Sequence, residues 1–270
     1  MMRRVAPLLV LVGLLAGCGR AEPVVPSGPP PLAKFSSVEQ LNAAVTTREN
    51  ADKTAKMTIS GGVDGQPDQE FYGVGVLRLD QGGASMQFAE QVQRPGAAPA
   101  EVTLVVQPSA VYLKPPADAV LPPRKSWVQL GRYTSDPFYR RFLPMAAALR
   151  ISDPQTFFAR YGDAVTITNS AEEAIDGARG VRYDLHADVA KAAADQPNPA
   201  IGQALRDSLA AGLTSVDLTI WLDESHRPLR TLIDQPMPGA TGRFKLDSHY
   251  NTWGKTIYIG PPEPTLVTQQ

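Results

Sequence analysis

A single cysteine, three histidines and no long run of lysine or arginine leave this 270-residue chain poor in several groups that protein chemistry often uses. One sulfur cannot close an intramolecular disulfide, and thiolate zinc or iron–sulfur cages need several sulfur ligands at fixed spacing. No metal or cofactor site is expected. A formal charge of −1 and a sequence pI near 6.3 give no basic footprint for nucleic acid, which is held chiefly through its phosphates.

Catalytic signatures are missing too. There is no Gly-x-Ser-x-Gly elbow, no serine followed three residues later by lysine, no His-Glu-x-x-His and no calcium loop. His186, His226 and His249 lie far apart among polar neighbours and read as solvated side chains. The pairs Glu172-Glu173 and Asp223-Glu224 consist of adjacent residues, which point to opposite faces of a strand and cannot flank one glycosidic bond. Gly73-Val74-Gly75 lacks the third glycine and the following helix of a dinucleotide fingerprint, and reads as a strand packed closely against something. The chain is not expected to be an enzyme.

What is present begins at the N-terminus. Arg3 and Arg4 precede the mostly apolar run Val5 to Gly17, which is short of the ~20 residues a membrane-crossing helix needs and reads as an export signal over residues 1–17. It closes with Leu15-Ala16-Gly17-Cys18, placing the one cysteine where a bacterial lipobox requires it. That resemblance implies cleavage before Cys18 and attachment of a diacylglycerol to its thiol. Cys18 would then tether the protein to the extracytoplasmic face of the cell membrane. Losing Arg3 and Arg4 with the signal lowers the formal charge from −1 to −3, so attachment would come from acyl chains rather than from headgroup electrostatics.

Residues 18–35 follow as a stalk in which Pro23, Pro26, Pro29, Pro30 and Pro31 prevent regular structure. As extended chain the stalk reaches roughly 50 Å. A single domain is expected over 36–260, with a flexible tail at 261–270.

Within that domain Ser37-Val38-Glu39-Gln40 has capping-box spacing before a helix carrying Leu41 and Val45. The apolar period then becomes two: Ala55, Met57 and Ile59; Ala84, Met86 and Phe88; Val102, Leu104 and Val106; Val181, Tyr183 and Leu185; Val216, Leu218, Ile220 and Leu222; Phe244 and Leu246; Ile257 and Ile259. Such alternation marks antiparallel strands buried on one face, about ten in all. Gly61-Gly62 and Asp176-Gly177 read as turns. Phe138, Phe142, Met145 and Leu149 form one helical stripe, Asp153-Pro154 opens a short helix with Phe157, Phe158 and Tyr161, and Ile201, Leu205, Leu209 and Leu213 form another stripe. The expected class is α+β, with helices laid on the apolar side of an antiparallel sheet.

The lipobox, the proline-rich stalk, the helix leading into a Thr/Lys-rich strand, and Val216 to Asp223 followed by Arg227-Pro228-Leu229-Arg230 together resemble the LppX/LprG/LprF lipoproteins of actinobacteria, similar in fold to the carriers LolA and LolB. The resemblance implies a strongly curved antiparallel half-barrel with helices over its concave face. It further implies an apolar cavity for the acyl chains of a lipid or glycolipid, and an envelope transporter or acceptor protein as a further partner. Only Cys18 carries over from the family residue by residue. The cavity candidates are Met86, Phe88, Leu104, Phe138, Phe142, Met145, Leu149, Phe157, Phe158, Leu205 and Leu209, because flexible or bulky apolar groups can line a cavity as well as fill a core. The insertion from about Ala187 to Gly212 is expected either to lengthen a lid or to close the cavity. In the second case the protein is a filled-core lipoprotein that presents a surface to a protein partner.

Overall fold

The computed structural model describes residues 30–269 apart from 81–82, 95–96, 132–133 and 238–241. The export signal, Cys18 and the stalk up to Gly28 and Pro29 lie outside the described residues.

The first helix, α1 (Val38–Asp52), starts where expected: the Gln40 amide donates to Ser37 Oγ at 3.2 Å. It ends at Lys53, whose φ of 64° is left-handed and whose N–H donates to the Glu49 carbonyl. Leu41, Val45 and Glu49 repeat every four residues and are its buried face.

Among the described residues twelve strands form one sheet, and their order places the chain's two halves side by side. The strands β1 (Thr54–Val63), β2 (Gln66–Asp80), β3 (Gly83–Arg94), β4 (Ala97–Val106), β5 (Val111–Lys114) and β6 (Trp127–Leu130) run as one meander. A second meander contains β7 (Val165–Ile175), β8 (Ala178–Asp188), β9 (Ser215–Asp223), β10 (Pro228–Pro236) and β11 (Arg243–Asn251). Antiparallel pairing of β1 with β11 joins them, Met57 opposite Tyr250, and the sheet stays open with β7 at one edge. Bulges at Gly61–Val63, Val92–Arg94, Ile167–Asn169 and Pro228–Arg230 bend the strands, and give the antiparallel sheet expected from the alternation the curvature that the family resemblance implies.

Helices fill the breaks in the meanders: α2 (Pro137–Arg140), α3 (Phe142–Ser152) and α4 (Pro154–Tyr161) between β6 and β7, and α5 (Val189–Asp195) and α6 (Pro199–Ala210) between β8 and β9. Asp136, Asp153, Asp188 and Asn198 cap α2, α4, α5 and α6 through their side chains. The inward residues of the strands and the apolar stripes of the helices make one core, with Met57, Met86, Phe88, Leu104, Leu149, Phe157 and Leu205 all fully buried within it. The opposite face of the second meander is a lattice of ion pairs, including Arg230–Asp247 at 2.6 Å, Arg182–Asp184 at 2.9 Å and Arg243–Asp234 at 2.6 Å.

Several expectations change. The Phe138–Leu149 stripe is two helices, which meet at Arg141. Leu213 lies beyond α6, past Gly212 with φ 95°. Gly61-Gly62 is not a turn: both glycines lie within β1, and the turn falls at Asp64-Gly65. Ile257 and Ile259 form no strand, although Ile259 is fully buried. The domain also extends beyond both of its expected ends. Leu32 N–H donates to Glu172, Phe35 N–H donates to Tyr183 Oη at 2.9 Å, and residues 32–270 form one compact unit. At the other end the expected flexible tail contains β12 (Val267–Gln269), paired in parallel with β6.

One core residue is out of character. Glu49 is fully buried, and among the described residues neither carboxylate oxygen has a partner in good hydrogen-bond geometry, although the Gln155 side chain lies close enough to favour its charged form slightly. Burial, reinforced by the nearby Asp153 carboxylate, raises its pKa well above the ordinary 4.5. A raised folded-state pKa stabilises the fold at pH values below the unfolded one, and that contribution is lost as pH climbs through the folded value. Glu49→Gln is therefore expected to match the wild type below about pH 4.5 and to exceed its stability by about 1–3 kcal/mol in the alkaline range. Urea unfolding of both proteins across pH 4 to 9 checks this, and parallel curves would refute it.

Candidate functional site

A cleft of about 400 Å³ opens where the β1–β2 end of the sheet meets α2 and α3. Its apolar wall is built from distant parts of the chain: Val63 and Phe71 from β1 and β2, Phe142 and Met145 from α3, Met237 just after β10, and Phe244 from β11.

Local sequence explains how the wall is laid. A side chain at Gly61 would put its Cβ 2.6 Å from the Phe71 ring, so the missing side chain lets that ring lie across β1. Phe71 meets Phe88 edge-on at 6.4 Å between centroids and stacks with Phe244 at 6.5 Å, which ties the wall to the core beneath it. Gly73, on β2, makes room in the same way: a Cβ there would sit 2.6 Å from the Phe88 ring and collide with the Ala89 carbonyl. The close approach expected of Gly73-Val74-Gly75 is thus the seating of Phe88.

Charged residues gather at this cleft. Glu70, Glu90, Arg140 and Arg141 line it beside Pro137. Glu90 lies on the inward face of β3, two residues after Phe88 and two before Val92, and is only 5% exposed. Burial raises its carboxyl pKa to about 7, an effect opposed by the positive charge of Arg141. Arg141 lies over the rings of Phe138 at 5.7 Å and Phe142 at 4.9 Å. Val63, Glu70, Phe71 and Glu90 also wall a second groove of about 630 Å³, which runs along Ser60 to Gly65 to Lys245. The two spaces therefore adjoin.

Of the eleven cavity candidates, Phe142 and Met145 stand on the cleft wall. Met86, Phe88, Leu104, Leu149, Phe157, Phe158 and Leu205 are buried in the continuous core, while Phe138 and Leu209 are partly buried against it. Sequence reasoning did not single out Phe71, Met237, Phe244, Glu90, Arg140 or Arg141 for the site. For Glu90 a signal existed: a carboxylate at an inward position of the alternation Met86, Phe88, Glu90, Val92. Among the described residues no cluster of three or more His, Cys, Asp or Glu could hold a metal ion, and no helix is long and apolar enough to cross a membrane.

No family model matches the chain, and no curated protein sequence does. Among solved structures, LprF from Mycobacterium bovis is similar over 84% of this chain and 99% of that one, at 15% identity and a TM-score of 0.40. A LolA superfamily protein from Nitrosomonas europaea is similar over 83% and 96%, at 7% identity and a TM-score of 0.31. A DUF1329 family protein from Desulfovibrio piger is similar over 80% and 92%, at 11% identity and a TM-score of 0.33.

Proposed function

We propose that the protein is a lipoprotein, anchored through Cys18 on the extracytoplasmic face of the cell membrane, that shelters the acyl chain of a lipid or glycolipid in this cleft and presents or carries it across the envelope. The observation that carries the reading is the apolar wall of Phe71, Phe142, Met145, Met237 and Phe244 around about 400 Å³, a volume within the ~300–1,000 Å³ of small-molecule sites. Each methylene buried there contributes ~0.8 kcal/mol, so a partly inserted chain offsets the cost of ordering it. Binding needs no catalytic group, and an acceptor protein in the envelope would complete the transfer.

The test is extraction of the purified chain, carrying Cys18→Ala and lacking residues 1–17, into organic solvent for mass spectrometry. A lipid recovered at near one per protein is expected. Met145→Trp, which fills the cleft from α3, is expected to lower that recovery at least fivefold while leaving the urea midpoint within a few tenths molar of the parent. Lipid-free parent protein would end the cargo reading.

A second reading is favoured by a different observation: Met86, Leu104, Leu149, Phe157 and Leu205 are 1% exposed or less, so the middle of the sheet–helix layer is well packed. On that reading the protein is a tethered scaffold that binds a protein partner, and repeated recovery without lipid supports it.

A further inference from the structure

The cleft's charges are arranged in a way that acyl chains alone do not explain. Glu90 is only 5% exposed, its strand neighbours Phe88 and Val92 are each 1% exposed, and its Oε2 has no hydrogen-bond partner among the described residues. Leaving a buried carboxylate oxygen unpaired is unfavourable, and a donor entering the cleft that Glu90 lines removes that cost. Glu70, exposed on β2, adds a second carboxylate to the same wall.

Facing them, Arg140 and Arg141 are exposed and form no ion pair with a described residue. The Arg141 guanidinium lies over the rings of Phe138 and Phe142, and a guanidinium packed against aromatic rings still has N–H donors to offer an anion. Two carboxylates and two guanidiniums on one small apolar cleft complement a headgroup bearing both signs. The anion belongs on the arginines, and a donor-bearing cation beyond it belongs on Glu90 and Glu70.

We infer that the cleft selects an amphiphile with a phosphate followed by a primary ammonium, a headgroup of the phosphoethanolamine type, with the phosphate on Arg140 and Arg141 and an N–H donated to Glu90. The inference rests on the acyl-binding reading above and adds the headgroup to it. A phosphoglycerol headgroup offers O–H donors without the positive charge. A phosphocholine headgroup keeps the charge but has no N–H to give, so it leaves Glu90 unpaired.

The experiment is calorimetric titration of residues 18–270 carrying Cys18→Ala with dihexanoyl phosphatidylethanolamine, phosphatidylglycerol and phosphatidylcholine, each below its micelle concentration. The ethanolamine lipid is expected to bind at least tenfold more tightly than either of the others. Glu90→Gln should bring its affinity down to the level of the choline lipid, and a cooperative urea transition with a midpoint no lower than the parent's shows that the variant is folded. Arg141→Gln should weaken all three. Equal binding of ethanolamine and choline lipids, glycerol-lipid binding as tight as ethanolamine-lipid binding, or an undiminished preference in Glu90→Gln each overturns the headgroup inference and leaves acyl binding standing. Failure of all three lipids to bind the wild type overturns the acyl-binding reading itself.

Discussion

Gly73→Val is expected to destabilise the protein by about 3 kcal/mol, at the upper end of what overpacking a well-packed site costs. The reason is local and structural. Gly73 pairs across the ladder with Glu90, and the Phe88 ring lies over the space where a side chain would begin. A Cβ at 73 meets that ring at 2.6 Å and the Ala89 carbonyl more closely still, and backbone yields less readily than a side-chain end. Moving Phe88 also moves Phe71, which it supports edge-on, and Phe71 is part of the cleft wall. The variant should therefore unfold at lower urea with an unchanged slope, and its folded fraction should retain less lipid. Val74→Thr is the comparison. Its side chain is 54% exposed on the other face, and the change should stay within about 0.5 kcal/mol. A Gly73→Val protein as stable as Val74→Thr would mean that Phe88 is not seated on β2.

The same strand shows where sequence reasoning reached and where it stopped. Alternation is visible in a strand whose inward positions carry large apolar groups, so β1, β3, β4, β8 and β9 could be read directly. The inward positions of β2 include Gly73 and Gly75, where the room is taken by Phe88 and by the backbone at Gln87, so hydrophobicity there gives no alternation to read. The strands β5 and β6 are four residues each, too short for a period to establish itself, and β12 exists only because the chain returns to pair with β6. Caps were legible because they act within three residues, as Ser37 and Asp153 do. The cleft was half legible. Phe142 and Met145 stood out by helical spacing, but Phe71 and Phe244 are 173 positions apart and become neighbours only through the β1–β2 and β1–β11 pairings. Periodicity reports which side of a strand is buried. Whether the buried side meets another side chain or an open space depends on how the layers curve, and four bulges set much of that curvature.

The largest expected effect concerns Cys18. Replacing residues 1–17 by a conventional cleavable export signal, together with Cys18→Ala, is expected to move essentially all of the protein from the detergent phase to the aqueous phase when cells are partitioned in a clouding detergent. Among the described residues no helix can cross a bilayer, and without Arg3 and Arg4 the formal charge is −3, so net charge does not draw the mature chain to an anionic bilayer surface. On the proposed function, attachment comes from acyl chains on Cys18, each methylene contributing ~0.8 kcal/mol, and two chains suffice for a stable anchor. Cys18→Ala alone is the weaker test, because an uncleaved signal would keep its own apolar run, Val5 to Gly17, in the membrane. Exchanging the signal as well removes that second hold and leaves the thiol as the only difference. A wild-type protein found in the aqueous phase, or an exchanged variant that stays with detergent, would locate the anchor somewhere other than Cys18. The cleft would then have to be explained in a protein that reaches lipid by another route.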